Sequence, residues 1–152
     1  MDPSKETAVR YIITLTPAPD AKPADPNAPF DEALFVAHMK YNEEMFEAGV
    51  LVGSEGLSPS QKSAHVLVSG SKRTVVDGPF AETKELIGGF YLLEVESLAE
   101  AIEWARKYPG GFGGDEVLEI RPLTGVGDLP PHLEDLIRKA APTWSANFEK
   151  RR

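Results

Sequence analysis

The chain contains no cysteine, which removes disulfide staples, thiolate metal ligands and thiol nucleophiles at one stroke. It also has no apolar run long enough to span a bilayer, and Met1 to Arg10 lacks the basic-then-apolar pattern of a secretory leader. A cytoplasmic protein is therefore the expectation. Basic residues are in the minority, 16 Lys and Arg against 24 Asp and Glu, for a formal net charge of −8. Such a surface repels phosphate backbones and anionic lipids, so neither nucleic acid nor membrane is an expected partner. The three histidines, His38, His65 and His132, are scattered and lack the spacing of a zinc site. No glycine spacing matches a phosphate loop, a dinucleotide fingerprint or a nucleophile elbow. No metal and no cofactor is expected.

What is present reads as one domain, because 152 residues can bury a core without covalent staples. Residues 1–7 are polar and read as a disordered N-terminus. Val9, Tyr11, Ile13 and Leu15 alternate with Arg10, Ile12 and Thr14 in a first strand. Pro17, Pro19, Pro23, Pro26 and Pro29 make residues 17–30 an extended loop, either a lid or loose surface chain. Asp31 is a suitable N-cap and Phe30 can staple onto Phe35, opening a helix that Gly49 ends. Its inward side carries Leu34, Phe35, His38, Tyr41, Met45 and Phe46; His38 and Asn42 must be hydrogen-bonded there or face a cavity. Val50–Gly53 is a short strand, and 64–69 with 72–77 form a hairpin about Gly70-Ser71.

Residues 89–96 give a further strand, with Phe90, Leu92 and Glu94 on one face and Tyr91, Leu93 and Val95 on the other. Ser97 and Glu100 form a capping box, starting a helix with Leu98, Ala101, Ile102 and Ala105 inward and Pro109-Gly110-Gly111 as its stop. Residues 116–122 complete an α+β plan of the ferredoxin-like, split βαβ kind: an antiparallel sheet with two helices on one face. Tyr91, Val95, Val117 and their neighbours are too apolar to leave the second face wet, which points to a second subunit. Residues 8–123 are the expected domain. Residues 124–152 read as a C-terminal extension with a short helix built on Leu133, Leu136, Ile137 and Ala140.

The turn Asp77-Gly78-Pro79-Phe80, followed by AETKE and GGFYLLEV, carries a resemblance. Together with NEEMFEAGVLVGSEGLSPS upstream and SLAEAIEWARKYP and VLEIRPL downstream, it is similar to the DGPF group of the YCII-related family over about residues 8–123. The resemblance implies a ferredoxin-like subunit that pairs into a dimeric α+β barrel, and it implies no established reaction. Some members of the wider family carry a paired histidine and aspartate, and Asp77 matches that aspartate. Similar members are often encoded beside alternative sigma factors.

From the residues, Asp77 at a strand end and His38 on the first helix are the candidate proton-transfer pair. The alternatives are an Asx turn for Asp77 and a core histidine bonded to Asn42 or backbone for His38. Phe80, Lys84, Tyr91, Tyr41, Glu55 and Arg10 are candidate substrate-binding residues. Lys84 equally suits surface pairing with Glu82 or Glu85, and Arg10 suits pairing with Glu94. The expectation is a homodimer binding a small molecule, with cofactor-independent proton transfer on a small organic acid or ketone. The other reading is a non-catalytic regulatory or metabolite-binding dimer.

Overall fold

Cross-strand partners in a sheet project to the same side, so the register of the strands decides which residues meet the helices. The computed structural model describes residues 8–22, 25–58, 63–78, 86–125 and 128–149, the last three without their side chains. Its elements are β1 (Val9–Pro17), α1 (Glu32–Glu47), β2 (Leu51–Gly56), β3 (Ala64–Ser69), β4 (Lys72–Asp77), β5 (Gly89–Val95), α2 (Leu98–Arg106), β6 (Glu116–Pro122), α3 (Pro131–Ala140) and α4 (Pro142–Glu149). Four strands pair antiparallel in the order β2-β5-β1-β6. That order, with two helices in the split connections, is the ferredoxin-like α+β arrangement.

Tyr11 lies opposite Leu93, Ile13 opposite both Tyr91 and Ile120, and Leu15 opposite Leu118. These side chains share one face with Val95, and α1 and α2 cover it. Ile13, Leu93 and Met45 of α1 are wholly inaccessible, and Tyr11, Tyr41, Val50, Tyr91, Val95 and Ala101 complete the core. Burying each of the three inaccessible side chains contributes roughly 1.5–3 kcal/mol. Two of the three residues expected on the uncovered face are thereby corrected: Tyr91 and Val95 lie under the helices. The uncovered face instead carries Ile12, Phe90, Leu92 and Val117 with Arg10, Glu94, Glu119 and Arg121, as parity along β1, β5 and β6 requires.

The helix starts follow local chemistry. Asp31 accepts a 2.9 Å hydrogen bond from Leu34 N, and the Phe30 and Phe35 rings lie 5.9 Å apart in the expected staple. Ser97 caps α2 by accepting from Glu100 N, while the Glu100 carboxylate reaches back to Glu96 N, one residue before the cap. The inward side of α2 is Ala101, Trp104 and Ala105, whereas Leu98 and Ile102 are exposed, a rotation from the expected stripe. Phe46, expected inward on α1, is likewise exposed.

Two features stand apart from the main sheet. The hairpin β3–β4 is a separate two-stranded sheet turning at Gly70, whose φ of +56° supplies the left-handed conformation. Its strands pack chiefly on each other, leaving Val66, Leu67, Val68, Val75 and Val76 exposed. Beyond the sheet, the chain forms two helices where one was expected. Pro142 cannot continue α3 and instead opens α4.

Candidate functional site

Inward residues on one helix face recur at intervals of three and four, which places His38, Tyr41, Asn42 and Met45 of α1 above the sheet. The segment after α2 returns beneath them. Tyr108 N–H closes on Ala105 O, and the chain then runs through Gly110, Gly111 and Phe112 before Gly111 and Gly114 bridge. Between α1, this glycine-rich segment and the ends of β2 and β5 lies a cavity of about 430 Å³. Its lining includes His38, Asn42, Ser54, Glu55, Tyr91, Tyr108, Phe112 and Glu116.

His38 is buried, and its Nε2 lies 2.6 Å from Gly110 O. A carbonyl can only accept, so Nε2 carries the proton and, in the neutral ring, Nδ1 is left as an acceptor. Aromatic contacts clamp the ring in place. Phe112 stacks on it at 5.1 Å and 19°, Tyr108 meets it edge-on at 5.2 Å, and Phe30 stacks on the far side of Phe112 at 5.5 Å and 10°. Each such pair contributes roughly 0.5–1.5 kcal/mol beyond its buried area. Phe30 and Ala18, whose N–H donates to Asp115 O, tie both ends of the proline-rich loop to the glycine-rich segment.

Tyr108 Oη donates to Glu116 Oε1 at 2.7 Å, and Tyr41 Oη donates to Trp104 O at 2.8 Å. The Tyr41, Tyr91 and Tyr108 rings meet one another edge-on at 5.6–6.3 Å. Burial raises the ionisation of all three phenols above the usual value near 10. For Tyr108 the bond to Glu116 adds to the rise, and for Tyr91 the charge of Glu116 does. Glu116 keeps its position because Gly111 has no side chain: a Cβ there would collide with the Glu116 carboxylate.

Asn42 supplies the one unpaired atom of its kind among the described residues. Its Oδ1 is buried without a donor, and the residue lines the cavity. Of the two partners expected for a core histidine at position 38, Asn42 or backbone, the bond is made to backbone, at Gly110 O. A buried acceptor without a partner costs about 1–3 kcal/mol, which is unusual beside an open cavity unless something else supplies the donor.

The candidates read from the sequence distribute as follows. His38 and Tyr91 come together on the cavity, whereas Glu55 is exposed at its rim, its side chain on the other face of the sheet with its partner Phe90. Tyr41 lies behind the lining, edge-on to Tyr91. Arg10 is on the uncovered face of the sheet opposite Glu94. Asp77 is exposed at the end of β4 opposite Ala64, and the lining of the His38 cavity does not include it. The N–H of Gly78 donates to Ser63 O, and the N–H groups beyond it that the expected Asx turn of Asp77 would use lie outside the described residues. Phe80 and Lys84 lie outside the described residues. Tyr108, Phe112 and Glu116 are the residues that sequence reasoning missed. Their one signal was a phenylalanine between two glycine pairs, Gly110-Gly111-Phe112-Gly113-Gly114, which reads equally well as a helix stop. Among the described residues no group of three or more His, Asp or Glu is placed to hold a metal ion, and no helix is long and apolar enough to cross a membrane.

A model of the YCII-related domain matches residues 9–124. An uncharacterised protein of Rhizobium meliloti (strain 1021) is 41% identical over 86 residues, which is 55% of this chain and 69% of that protein.

Two outcomes follow from this geometry. Asn42→Leu, which removes the unpaired acceptor at similar volume, is expected to leave the ligand-free fold at least as stable and to raise it by about 1 kcal/mol in urea unfolding. The tyrosines set a response to alkali. Because the folded chain holds these phenols protonated above the value at which the unfolded chain releases its protons, the stability they confer is complete below about pH 10 and falls as pH rises beyond it. In an alkaline titration, phenolate absorbance from three of the four tyrosines is expected to rise together with loss of the far-ultraviolet circular dichroism. Phenolate appearing while the dichroism stays native would contradict it.

Proposed function

The chain belongs to the YCII-related domain family, and from that premise we propose that it is a small-molecule-binding homodimer in which His38 accepts a proton from the bound compound. The observation that carries this reading is the placement of two acceptor side chains on one cavity. His38 Nδ1 is left without a proton in the neutral ring by the Nε2 bond to Gly110, and among the described residues Asn42 Oδ1 has no donor. A proton acceptor with its ring locked by stacking matches the requirement of general-base catalysis for positioned groups. His38 itself returns the proton, and Tyr108 and Glu116, joined by a hydrogen bond, line the same cavity. This chemistry calls for no cofactor.

Two surfaces support the homodimer. An antiparallel sheet is commonly covered on one face alone, but the second face here carries Ile12, Phe90, Leu92 and Val117. A lone two-stranded hairpin is marginal in water, yet β3–β4 exposes five large apolar residues across both its faces. A second copy laid on the sheet, as in a dimeric α+β barrel, is the economical cover for these surfaces. In sedimentation equilibrium the protein is expected at twice the 16.6 kDa chain mass, and Leu92→Lys at the single-chain mass.

A second reading is favoured by the exposed position of Asp77, which is not among the residues lining the His38 cavity. In it the dimer binds a metabolite without turnover, in a regulatory role of the kind implied by the sigma-factor association of similar members. A thermal-shift screen of metabolite pools distinguishes these readings when followed by turnover assays. A ligand at about 100 times its dissociation constant stabilises by about 2.7 kcal/mol, and His38→Gln is expected to retain part of that shift while abolishing turnover. Equal turnover by His38→Gln would remove His38 from the chemistry.

A further inference from the structure

The kind of compound admitted can be read from the charges and lone pairs of the lining, given the small-molecule reading above. Glu116 is the carboxylate on the helix-covered side of the cavity; Glu55, the other acidic residue at its rim, is the cross-strand partner of Phe90, so its side chain projects to the other face of the sheet. Glu116 accepts one hydrogen bond, from Tyr108, and a carboxylate has room for about three more. Among the described residues Asn42 Oδ1 has no donor, and His38 Nδ1 is a further acceptor in the neutral ring. The remaining wall is aromatic, with Phe35, Tyr91, Tyr108 and Phe112 around the space. Aromatic faces attract cations, and acceptors require donors.

We propose that the cavity selects a flat, amine-bearing organic cation. Its ammonium group donates to Glu116 and Asn42 while its ring lies against the aromatic wall beside His38. An ammonium supplies the donors that this arrangement lacks, and its charge offsets that of Glu116. An organic acid of the same shape would bring a second negative charge beside Glu116 into a half-enclosed space, where like charges are poorly screened. This departs from the small organic acid or ketone expected from sequence, and it agrees in sign with the chain's net charge of −8. Gly111 takes part by omission, since its bare backbone is what lets the Glu116 carboxylate lie at the cavity wall.

The test is a protein-observed NMR titration with benzylamine, benzyl alcohol and benzoate, three probes with one ring and one differing group, against wild type, Glu116→Gln and Asn42→Leu. Glu116→Gln keeps an acceptor for the Tyr108 hydroxyl, so its fold is expected to survive, and the unliganded spectrum of each variant checks this. The expected result is saturable shifting of the His38, Tyr108 and Phe112 ring signals by benzylamine, at least tenfold tighter than by benzyl alcohol, with benzoate inert. Glu116→Gln should weaken benzylamine about tenfold, equivalent to about 1.4 kcal/mol, and leave benzyl alcohol unchanged, and Asn42→Leu should weaken benzylamine while remaining folded. Benzoate binding as tightly as benzylamine at the same rings, or a benzylamine affinity indifferent to Glu116→Gln, would overturn the amine preference and leave the cavity standing as a small-molecule site. If none of the three probes moves those rings, the small-molecule reading falls with it.

Discussion

The hydrogen bond from His38 Nε2 to Gly110 O joins residues 72 positions apart and sets the geometry of everything around it. It ties the middle of α1 to a segment with no regular structure of its own, between α2 and β6. Once that segment is held, Phe112 stacks on the imidazole, Tyr108 is presented edge-on, and Glu116 can accept from Tyr108. The same bond decides the tautomer. Had the ring paired with a carboxylate or with Asn42, the free nitrogen and the orientation of the ring would both differ, and the cavity wall would carry another chemistry.

Magnitudes separate this interior network from the surface ion pairs. Lys107 lies 2.7 Å from Glu44 and 4.7 Å from the Trp104 ring centre, joining α1 to α2 on the outside. Both of its charged groups are more than half exposed, so the pair is worth at most about 1 kcal/mol. Arg106–Glu103, Arg121–Glu119 and Arg138–Asp135 are more exposed still, with separations of 3.4–3.7 Å. The approach of the two helices is set by Tyr41, Tyr91, Tyr108 and the apolar core beneath them. The exposed pairs tune it little.

The strands and helix caps were legible because each is decided within a few residues. The alternation in Val9–Leu15 specifies which residues of β1 share a face, and Asp31 and Ser97 act on backbone groups three positions away. Which face the helices would cover was not legible. Tyr91 and Val117 have similar claims to burial, and parity alone leaves both faces possible until the register with β1 puts Tyr91 opposite Ile13 and Val117 opposite Thr16. The cavity was legible only from the α1 side, where a polar pair on an apolar stripe demanded either a partner or a hollow. Its far wall comes from Tyr108, Phe112 and Glu116, brought there by a glycine-rich return that local pattern could identify as a helix stop and no more. Asp77 drew attention as part of a stiff turn with a familiar tetrapeptide, but a rigid turn fixes its own shape without fixing where the hairpin that carries it will lie.

Strand β5 couples the two halves of the functional proposal. Its odd-numbered residues, Tyr91, Leu93 and Val95, enter the core and cavity, while Phe90 and Leu92 look toward the face that a second copy would cover. Slipping β5 by one residue would exchange these sets, hiding the dimer surface and placing Phe90 and Leu92 under the helices. Gly89 resists such a slip: a Cβ there would stand 2.9 Å from the Glu55 carbonyl, so the residue paired at that point with the end of β2 has to be glycine. The irregularity between Leu51 and Gly53 then lets β2 regain its pairing with Ser54 opposite Tyr91, beside the cavity. A single glycine at the start of one strand thus keeps both faces of that strand in their assigned roles.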